Sequence, residues 1–305
     1  MVLGIDIGGT NIKFGIVDDS YNIVKKLSIE TPKQKGDIGM ISAIISKAKE
    51  IYNEIPFDGI GIGSPGKIDT KNGVCEEAGN LPYNNTPMVK MFEDAFNMPV
   101  TLENDAKCAM IGELFAGAGK KYNSFAMLTL GTGIGGGIII EGKLYSGATN
   151  LAGEFGHMTI NYGGPQCVCG NTGCFELYAS VTALINQTRK RIEQHPDSLL
   201  AKMGAKQVTG KTAFEAAGAG CPVGKEVVDT YIGYLAYGIR SIINAFDPRA
   251  IILGGAISNE GNNLLIPLKE RLRLNNKTKI EISGLENDAG IIGAASKCMR
   301  RRRMK

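Results

Sequence analysis

The chain has 305 residues, of which 43% are hydrophobic and 21% charged, and its formal net charge is +4 at pH 7. This is the composition of a globular protein long enough for two packed cores, and no stretch approaches the roughly 18 consecutive apolar residues of a membrane span. Residues 1–17 turn at glycines, unlike a secretory signal, and seven cysteines do not suit a small disulfide framework. The composition thus argues against a membrane protein and predicts a reducing, cytoplasmic compartment.

Much of the positive charge lies near the C-terminus, at Lys297 and in the run from Arg300 to Lys305. A nucleic-acid patch is one interpretation of this run. A solvated helix end, with cations at the negative pole of the helix dipole, is the favoured one. The charge pattern therefore predicts no nucleic-acid partner.

The hydrophobic pattern predicts strands that alternate with helices. The predicted strands are 2–6, 11–17, 21–29, 59–63, 100–102, 124–130, 138–140, 144–145, 250–253 and 279–282. The predicted helices are 37–54, 87–96, 105–118, 174–193, 222–246, 264–274 and 290–303. Both halves begin as strand, glycine turn, strand, tight turn and strand, which predicts a repeated α/β architecture.

Two glycine turns stand out in this pattern. The first is Asp6–Thr10, where amides of Gly8 and Gly9 and the Thr10 hydroxyl follow a carboxylate at a strand end. Amides, a hydroxyl and a carboxylate suit Mg²⁺-bound phosphates, although a plain β-hairpin is the alternative. The second turn, Gly131–Gly137, holds more glycines than a hairpin needs and matches neither a Walker loop nor a dinucleotide fingerprint. Together the turns predict two hairpin loops on one nucleotide.

An amide and a carboxylate, Asn104 and Asp105, stand at a strand-to-helix junction. An aspartate can accept the proton of a hydroxyl that attacks a phosphoryl group, and an asparagine can both donate to and accept from neutral hydroxyls. The alternative is that the two residues only cap the following helix.

One histidine and three cysteines have metal-ligand spacing: His157, Cys167, Cys169 and Cys174. Three thiolates and one imidazole complete a tetrahedral zinc set of the structural type, which leaves no open position for catalysis. Three reduced free thiols are the alternative. Such a metal would order Glu154 and Glu176, which bracket the cluster and could contact the hydroxyls of a sugar.

These motifs, in order along nearly the whole chain, resemble the ROK family of bacterial repressors, uncharacterised frames and sugar kinases. The segments that carry the resemblance are Asp6–Thr10, Pro65-Gly66, 103–106, 130–137, Gly153–His157, Cys167–Glu176 and Gly254-Gly255. The most specific segment is the Glu-x-x-His block followed by Cys-x-Cys-Gly-x-x-Gly-Cys-x-Glu.

The resemblance implies an α/β, two-lobed, actin-like and hexokinase-like ribonuclease-H fold with a duplicated ββ-hairpin-plus-helix core and an interlobe cleft for ATP and sugar. The predicted lobes are residues 1–118 and 119–305, with a C-terminal helix at about 290–305 packing back on the first lobe. Family members are commonly homodimers or homotetramers.

The resemblance also implies a role for each motif residue. Asp105 is the expected catalytic base, and the expected sugar contacts are Gly66, Asn104, Asp105, Glu154, His157 and Glu176. The expected ATP and phosphate contacts are Asp6, Gly8, Gly9, Thr10, Lys13, Gly131, Thr132, Gly133, Gly135, Gly254 and Gly255. The expected ligands of a structural Zn²⁺ are His157, Cys167, Cys169 and Cys174, and Mg²⁺ accompanies ATP.

Two functional classes compete within this family. Repressors carry a winged helix-turn-helix before the first glycine loop, and the position of Asp6 near residue 1 favours a kinase, as does the presence of Asp105. A sugar sensor without turnover is the alternative. Asn80-Leu81-Pro82 with Pro65-Gly66 resembles the glucokinase branch, but Tyr83 stands where glucokinases often have tryptophan. Glucose is the favoured substrate, with N-acetylmannosamine, N-acetylglucosamine and fructose as alternatives.

Overall fold

A computed structural model describes residues 1–79, 81–273 and 278–303. The strands are β1 (Val2–Ile7), β2 (Asn11–Val17), β3 (Ile23–Glu30), β4 (Ile60–Ser64), β5 (Lys67–Asp69), β6 (Val74–Ala78), β7 (Leu81–Thr86), β8 (Val100–Asn104), β9 (Phe125–Leu130), β10 (Ile134–Ile140), β11 (Lys143–Leu144), β12 (Ala250–Gly254) and β13 (Lys279–Ile282). The helices are α1 (Gly36–Glu54), α2 (Met88–Phe96), α3 (Asp105–Ala116), α4 (Glu176–Ala179), α5 (Val181–Gln194), α6 (Leu199–Gly204), α7 (Thr212–Gly218), α8 (Pro222–Phe246), α9 (Asn262–Leu272) and α10 (Ala289–Arg303). Asn80, Leu274, Met304 and Lys305, which belong to predicted motifs or elements, lie outside the described residues.

The chain forms two compact units. The first contains Met1–Lys121, Ser146–Ala152 and the described residues from Gly284 onward, and the second contains Tyr122–Tyr145 and Gly153–Ser283. The predicted lobes were residues 1–118 and 119–305, with the C-terminal helix packing back on the first lobe. The chain returns to the first unit at Ser146–Ala152 and again from Gly284 onward. Within the part of the chain that is described, no helix is both long and apolar enough to span a membrane.

Each unit is built on a five-stranded sheet, and the two sheets share one topology. In the first sheet the order is β3-β2-β1-β4-β8, and in the second it is β11-β10-β9-β12-β13. In both orders, the first three strands are antiparallel to their neighbours, and the last three strands are parallel to one another. The predicted repeat of an α/β core is therefore confirmed.

Apart from shifts of a few residues at element ends, the structure differs from the predicted elements in three places. Helices α6 and α7 were not predicted. The predicted helix 174–193 is two helices, α4 and α5, because Ser180 between them is extended and its side chain caps α5 by accepting from the Ala183 N–H at 3.1 Å. A small antiparallel sheet, β5-β6-β7, was not predicted. Its strands are short and polar, and their turn depends on Asp69, whose Oδ1 accepts from the N–H groups of Lys71 and Asn72.

Helix α10 packs in backbone contact with the first sheet and with α3, because glycines line its path. A Cβ on Gly61 of β4 would lie 1.9 Å from the carbonyl oxygen of Ala294, and a Cβ on Gly293 would lie 1.6 Å from that of Cys108. Similar contacts surround Gly4 of β1. No larger residue fits at these points without moving the helix.

We therefore expect Gly61→Ala to lower the free energy of unfolding by about 3 kcal/mol, the upper end for overpacking, since its new methyl group meets backbone that cannot turn aside. Urea unfolding followed by far-UV circular dichroism measures this change. Gly218→Ala is the control, because no heavy atom lies within 4 Å of its added Cβ. Equal effects of the two substitutions would contradict the packing argument.

Candidate active site

The first glycine turn joins β1 to β2 and is fixed by three hydrogen bonds. The Gly8 N–H donates to the Asn11 carbonyl at 2.9 Å, the Thr31 hydroxyl donates to the Gly8 carbonyl at 2.7 Å, and the Thr31 N–H donates to the Thr10 carbonyl at 2.9 Å. Gly9 lies at the tip of this turn. The turn is therefore a rigid β-hairpin turn. This geometry is compatible with the predicted role in phosphate binding.

Asp6, the penultimate residue of β1, lies beside two sources of positive potential. Its Oδ2 lies 3.5 Å from the Nζ of Lys13, the residue opposite it in β2. A Cβ on Gly290, in the first turn of α10, would lie 2.7 Å from the Asp6 carboxyl carbon, so the carboxyl group sits against that turn. Burial raises the pKa of Asp6, and the attraction and hydrogen bond of Lys13 oppose that shift.

The ends of three neighbouring parallel strands bring the first-unit residues together. Asp6 pairs with Gly63, and Ser64 pairs with Asn104, so the ends of β1, β4 and β8 share one edge of the sheet. In open α/β sheets, ligands bind at the carboxyl ends of parallel strands. The first glycine turn, Pro65-Gly66 and Asp105 therefore all follow strand ends on this edge.

Asn104 is the N-cap of α3, which is the alternative that the sequence offered for this residue. Its Oδ1 accepts from the N–H groups of Ala106 at 3.1 Å and Lys107 at 3.3 Å. Asp105 also accepts from the Ala106 N–H, through Oδ1 at 2.9 Å. The cap fixes where both side chains start, because it holds the first turn of the helix in place.

Gly66 follows β4 in a conformation that glycine favours, with φ of 106°. A Cβ there would lie 2.2 Å from the Glu77 carbonyl oxygen in β6. The small sheet thus holds the turn at the end of β4, a contact that sequence analysis did not anticipate.

In the second unit, the glycine turn is shorter than predicted. β10 begins at Ile134, so Gly131, Thr132 and Gly133 form the turn and Gly135 lies in the strand. The glycines in the strand serve packing, since a Cβ on Gly136 would lie 2.8 Å from the Phe155 ring. The start of α5 holds the turn, as the Val181 N–H donates to the Gly131 carbonyl at 2.8 Å and the Thr182 hydroxyl to the Thr132 carbonyl at 2.8 Å.

Gly254 and Gly255 lie on the same edge of the second sheet as that turn. Gly254 pairs with Thr129 near the end of β9. Gly255 has φ of 86°, and a Cβ on it would lie 2.5 Å from the Leu130 carbonyl oxygen. The close approach places this segment beside the strand that leads into the glycine turn.

The structure brings the four predicted metal ligands together. The ligand atoms of His157, Cys167, Cys169 and Cys174 all lie within 4.8 Å of one another. The Sγ atoms of Cys169 and Cys174 are 3.6 Å apart, and Cys167 Sγ is 3.7 Å from His157 Nδ1. Zinc–sulfur bonds of about 2.3 Å at tetrahedral angles give sulfur–sulfur distances of about 3.7 Å. The donor set and its spacing therefore fit a structural Zn²⁺.

Glu176 links this cluster to the glycine turn. Its Oε1 lies 3.5 Å from His157 Nδ1 and 3.4 Å from Cys167 Sγ, and its Oε2 accepts from the Ile134 N–H at 3.4 Å. Glu154 is exposed and immediately precedes the short turn that carries His157. The geometry thus places Glu176 against both the cluster and the turn.

The fold is of the actin-like and hexokinase-like type found in ROK sugar kinases. Residues 2–300 match the model of the ROK family. The glucokinase of Halalkalibacterium halodurans is 36% identical over 307 residues, which cover 95% of this chain and 92% of that protein. A structure of a ROK family glucokinase from Streptomyces griseus, in complex with glucose and AMPPNP, has a TM-score of 0.85 at 32% identity, covering 98% of this chain and 99% of that one. The chain belongs to the ROK family.

The family also contains regulators. The xylose repressor of Caldicellulosiruptor bescii is 34% identical over 308 residues, which cover 96% of this chain and 76% of the repressor.

Near the end of β8, one residue was not singled out from the sequence and the prediction for another was wrong. Glu103 is buried immediately before Asn104, and Lys297 of α10 pairs with it at 2.6 Å. Lys297 was expected at a solvated helix end, but its ammonium group is bound to a buried carboxylate. A charged residue next to buried Leu102 in a strand was the available signal for Glu103, whereas nothing local in the sequence identifies its partner.

The raised pKa of Asp6 has a consequence for stability. The ionised carboxyl group costs folding free energy at neutral pH, and the cost disappears as pH falls through the raised pKa. We expect Asp6→Asn to raise the free energy of unfolding at pH 7, with the gain shrinking in acid. Urea unfolding at pH 7 and in acid measures this difference in the free energy of unfolding. Asp94→Asn, which changes an exposed carboxylate, is the control; a loss of stability in Asp6→Asn at pH 7 would count against the argument.

Proposed function

We propose that this protein is an ATP-dependent sugar kinase that phosphorylates a hexose hydroxyl, with glucose as the favoured acceptor. Membership of the ROK family and the similarity to glucokinases support the reaction class. The glucose complex of the Streptomyces griseus enzyme supports the choice of sugar.

The observation that carries the proposal is the arrangement at the edge of the first sheet. The first glycine turn follows β1 and Asp105 follows β8, with β4 between these two strands. Two interstrand spacings of about 4.8 Å separate the strand ends by about 10 Å. That distance leaves room for a phosphoryl group on the turn and a sugar hydroxyl at Asp105.

In the proposed mechanism Asp105 accepts the proton of the attacking hydroxyl, and the cap at Asn104 holds its backbone in place. Asn104 orients the sugar through hydrogen bonds, and Gly66, Glu154, His157 and Glu176 are assigned the other sugar contacts. Amides of the two glycine turns, with Thr10 and Lys13, stabilise the charge of the transferring phosphoryl group. Gly254 and Gly255 are assigned to the adenosine part of ATP.

Two metal ions complete the assignment. Mg²⁺ bound with ATP would neutralise charge on the phosphates, and Asp6 is the carboxylate that would hold its water shell. The Cys/His cluster would hold a Zn²⁺ with a structural role, since its four protein ligands fill a tetrahedral site. The family resemblance further favours a homodimer or homotetramer, and seven free thiols favour a reducing, cytoplasmic compartment.

The test is a coupled ADP-release assay over a panel of hexoses and N-acetylhexosamines, with Asp105→Ala compared on the best acceptor. We expect glucose to give the highest kcat/KM. Removal of the base should lower kcat by about 100- to 10,000-fold, because proton transfer in the transition state is lost. Sugar binding, measured by calorimetry, should change little.

The outcomes separate the alternatives. Faster turnover of N-acetylmannosamine, N-acetylglucosamine or fructose would change the substrate but keep the reaction. Sugar binding without ADP release would indicate a sensor. An Asp105→Ala variant with normal kinetics would remove Asp105 from its assigned role.

Metal analysis tests the zinc assignment. We expect about one Zn²⁺ per chain. Cys167→Ser/Cys174→Ser should lose it and show faster exchange of the Ile134 amide, which donates to Glu176. Cys221→Ser is the control, since Cys221 lies outside the cluster. Protein that is metal-free yet fully folded and active would refute the assignment.

A further inference from the structure

Helix α10 reaches back to the end of β8 through one side chain. The Lys297 ammonium group donates to Glu103 Oε2 at 2.6 Å and to the Leu102 carbonyl at 3.0 Å. The Glu103 side chain is 3% exposed. A buried carboxylate needs a partner of opposite charge, and the described structure supplies it from the far end of the sequence.

The other oxygen of Glu103 holds the backbone of the proposed site. Its Oε1 accepts from the Asn104 N–H at 3.0 Å, so one carboxylate joins Lys297 to the peptide that precedes Asp105. The Asn150 side-chain amide donates to the same oxygen at 3.5 Å. Lys107, in the first turn of α3, donates in turn to the Asn150 backbone carbonyl and, at 3.3 Å, to its side-chain oxygen. The strand end and the helix start are thereby tied into one buried network.

We propose that Glu103 and Lys297 form a positioning pair that sets the orientation of the Asn104–Asp105 segment for proton transfer. The proposal rests on the proposed kinase function, in which Asp105 is the base. Neither residue of the pair touches the reacting atoms in this assignment. Their effect passes through the Asn104 N–H and the start of α3.

A second ion pair on the same helix shows what a purely structural pair looks like. Arg302 forms two hydrogen bonds of 2.6 Å with Asp58, whose side chain is 55% exposed. Exposed ion pairs contribute little to stability. Asp58 precedes the start of β4, at the edge of the sheet opposite the end of β8. Arg302→Met therefore removes a cation from α10 without disturbing Glu103, which makes it a matched control for Lys297→Met.

The experiment compares steady-state kinetics of wild type, Lys297→Met, Lys297→Arg and Arg302→Met. We expect Lys297→Met to lower kcat by about 10- to 100-fold, since a small displacement of a catalytic group costs that much, with KM for ATP and sugar changed less than about threefold. Lys297→Arg should recover most of the kcat, because a cation again reaches Glu103. Arg302→Met should stay within about twofold of wild type.

If Lys297→Met fails to fold, Glu103→Gln/Lys297→Met replaces it. This double variant removes both charges of the pair and keeps an acceptor for the Asn104 N–H. It lacks the anchor from α10, so its kcat should also fall at least about tenfold. A folded variant of either kind with wild-type kcat would overturn the positioning role alone. Wild-type protein that releases no ADP with any sugar would overturn the kinase function and the positioning role together.

Discussion

The contact of α10 with the first sheet is the constraint on which the rest of the first unit depends. The helix lies so close to β1, β4 and α3 that carbonyl oxygens occupy the space where side chains would be, and Gly4, Gly61, Gly112 and Gly293 are the residues that permit it. Glycines in strands usually weaken a sheet. Here the stability lost through these glycines is offset, because they let the backbone of α10 pack directly against the sheet.

That close approach also determines the electrostatics of the candidate site. The first turn of α10 comes against Asp6, and the positive end of the helix dipole favours a carboxylate there. Lys297 reaches Glu103 from the same helix. The two carboxylates at the ends of β1 and β8 thus depend on one element, which lies far from both in sequence. In the second unit, Glu176 likewise joins two parts of the site, because it contacts both Cys167 of the Cys/His cluster and Ile134 after the glycine turn.

The features that sequence analysis predicted correctly are those encoded by near neighbours. The glycine turns, the cap at Asn104 and the spacing of the cysteines depend on adjacent residues, so the α/β repeat and the Cys/His cluster could be anticipated. The break at Ser180 was missed because the apolar period continues across it, and the small sheet because its strands are short and polar. Lys297 was assigned to solvent because its carboxylate partner is known only once the chain has folded. The roles of individual residues in the site remain predictions.

The order of the segments in the chain has a consequence for how the protein is made. Strand β1 with Asp6 and helix α3 with Asp105 are synthesised early, but the helix that packs against them, α10, follows the whole second unit in the sequence. Domains usually fold as units while the chain emerges from the ribosome. Until α10 is made, the glycine-lined face of the first sheet is uncovered. A chain interrupted before α10 would present that face to chaperones and proteases, and Glu103 would lack Lys297.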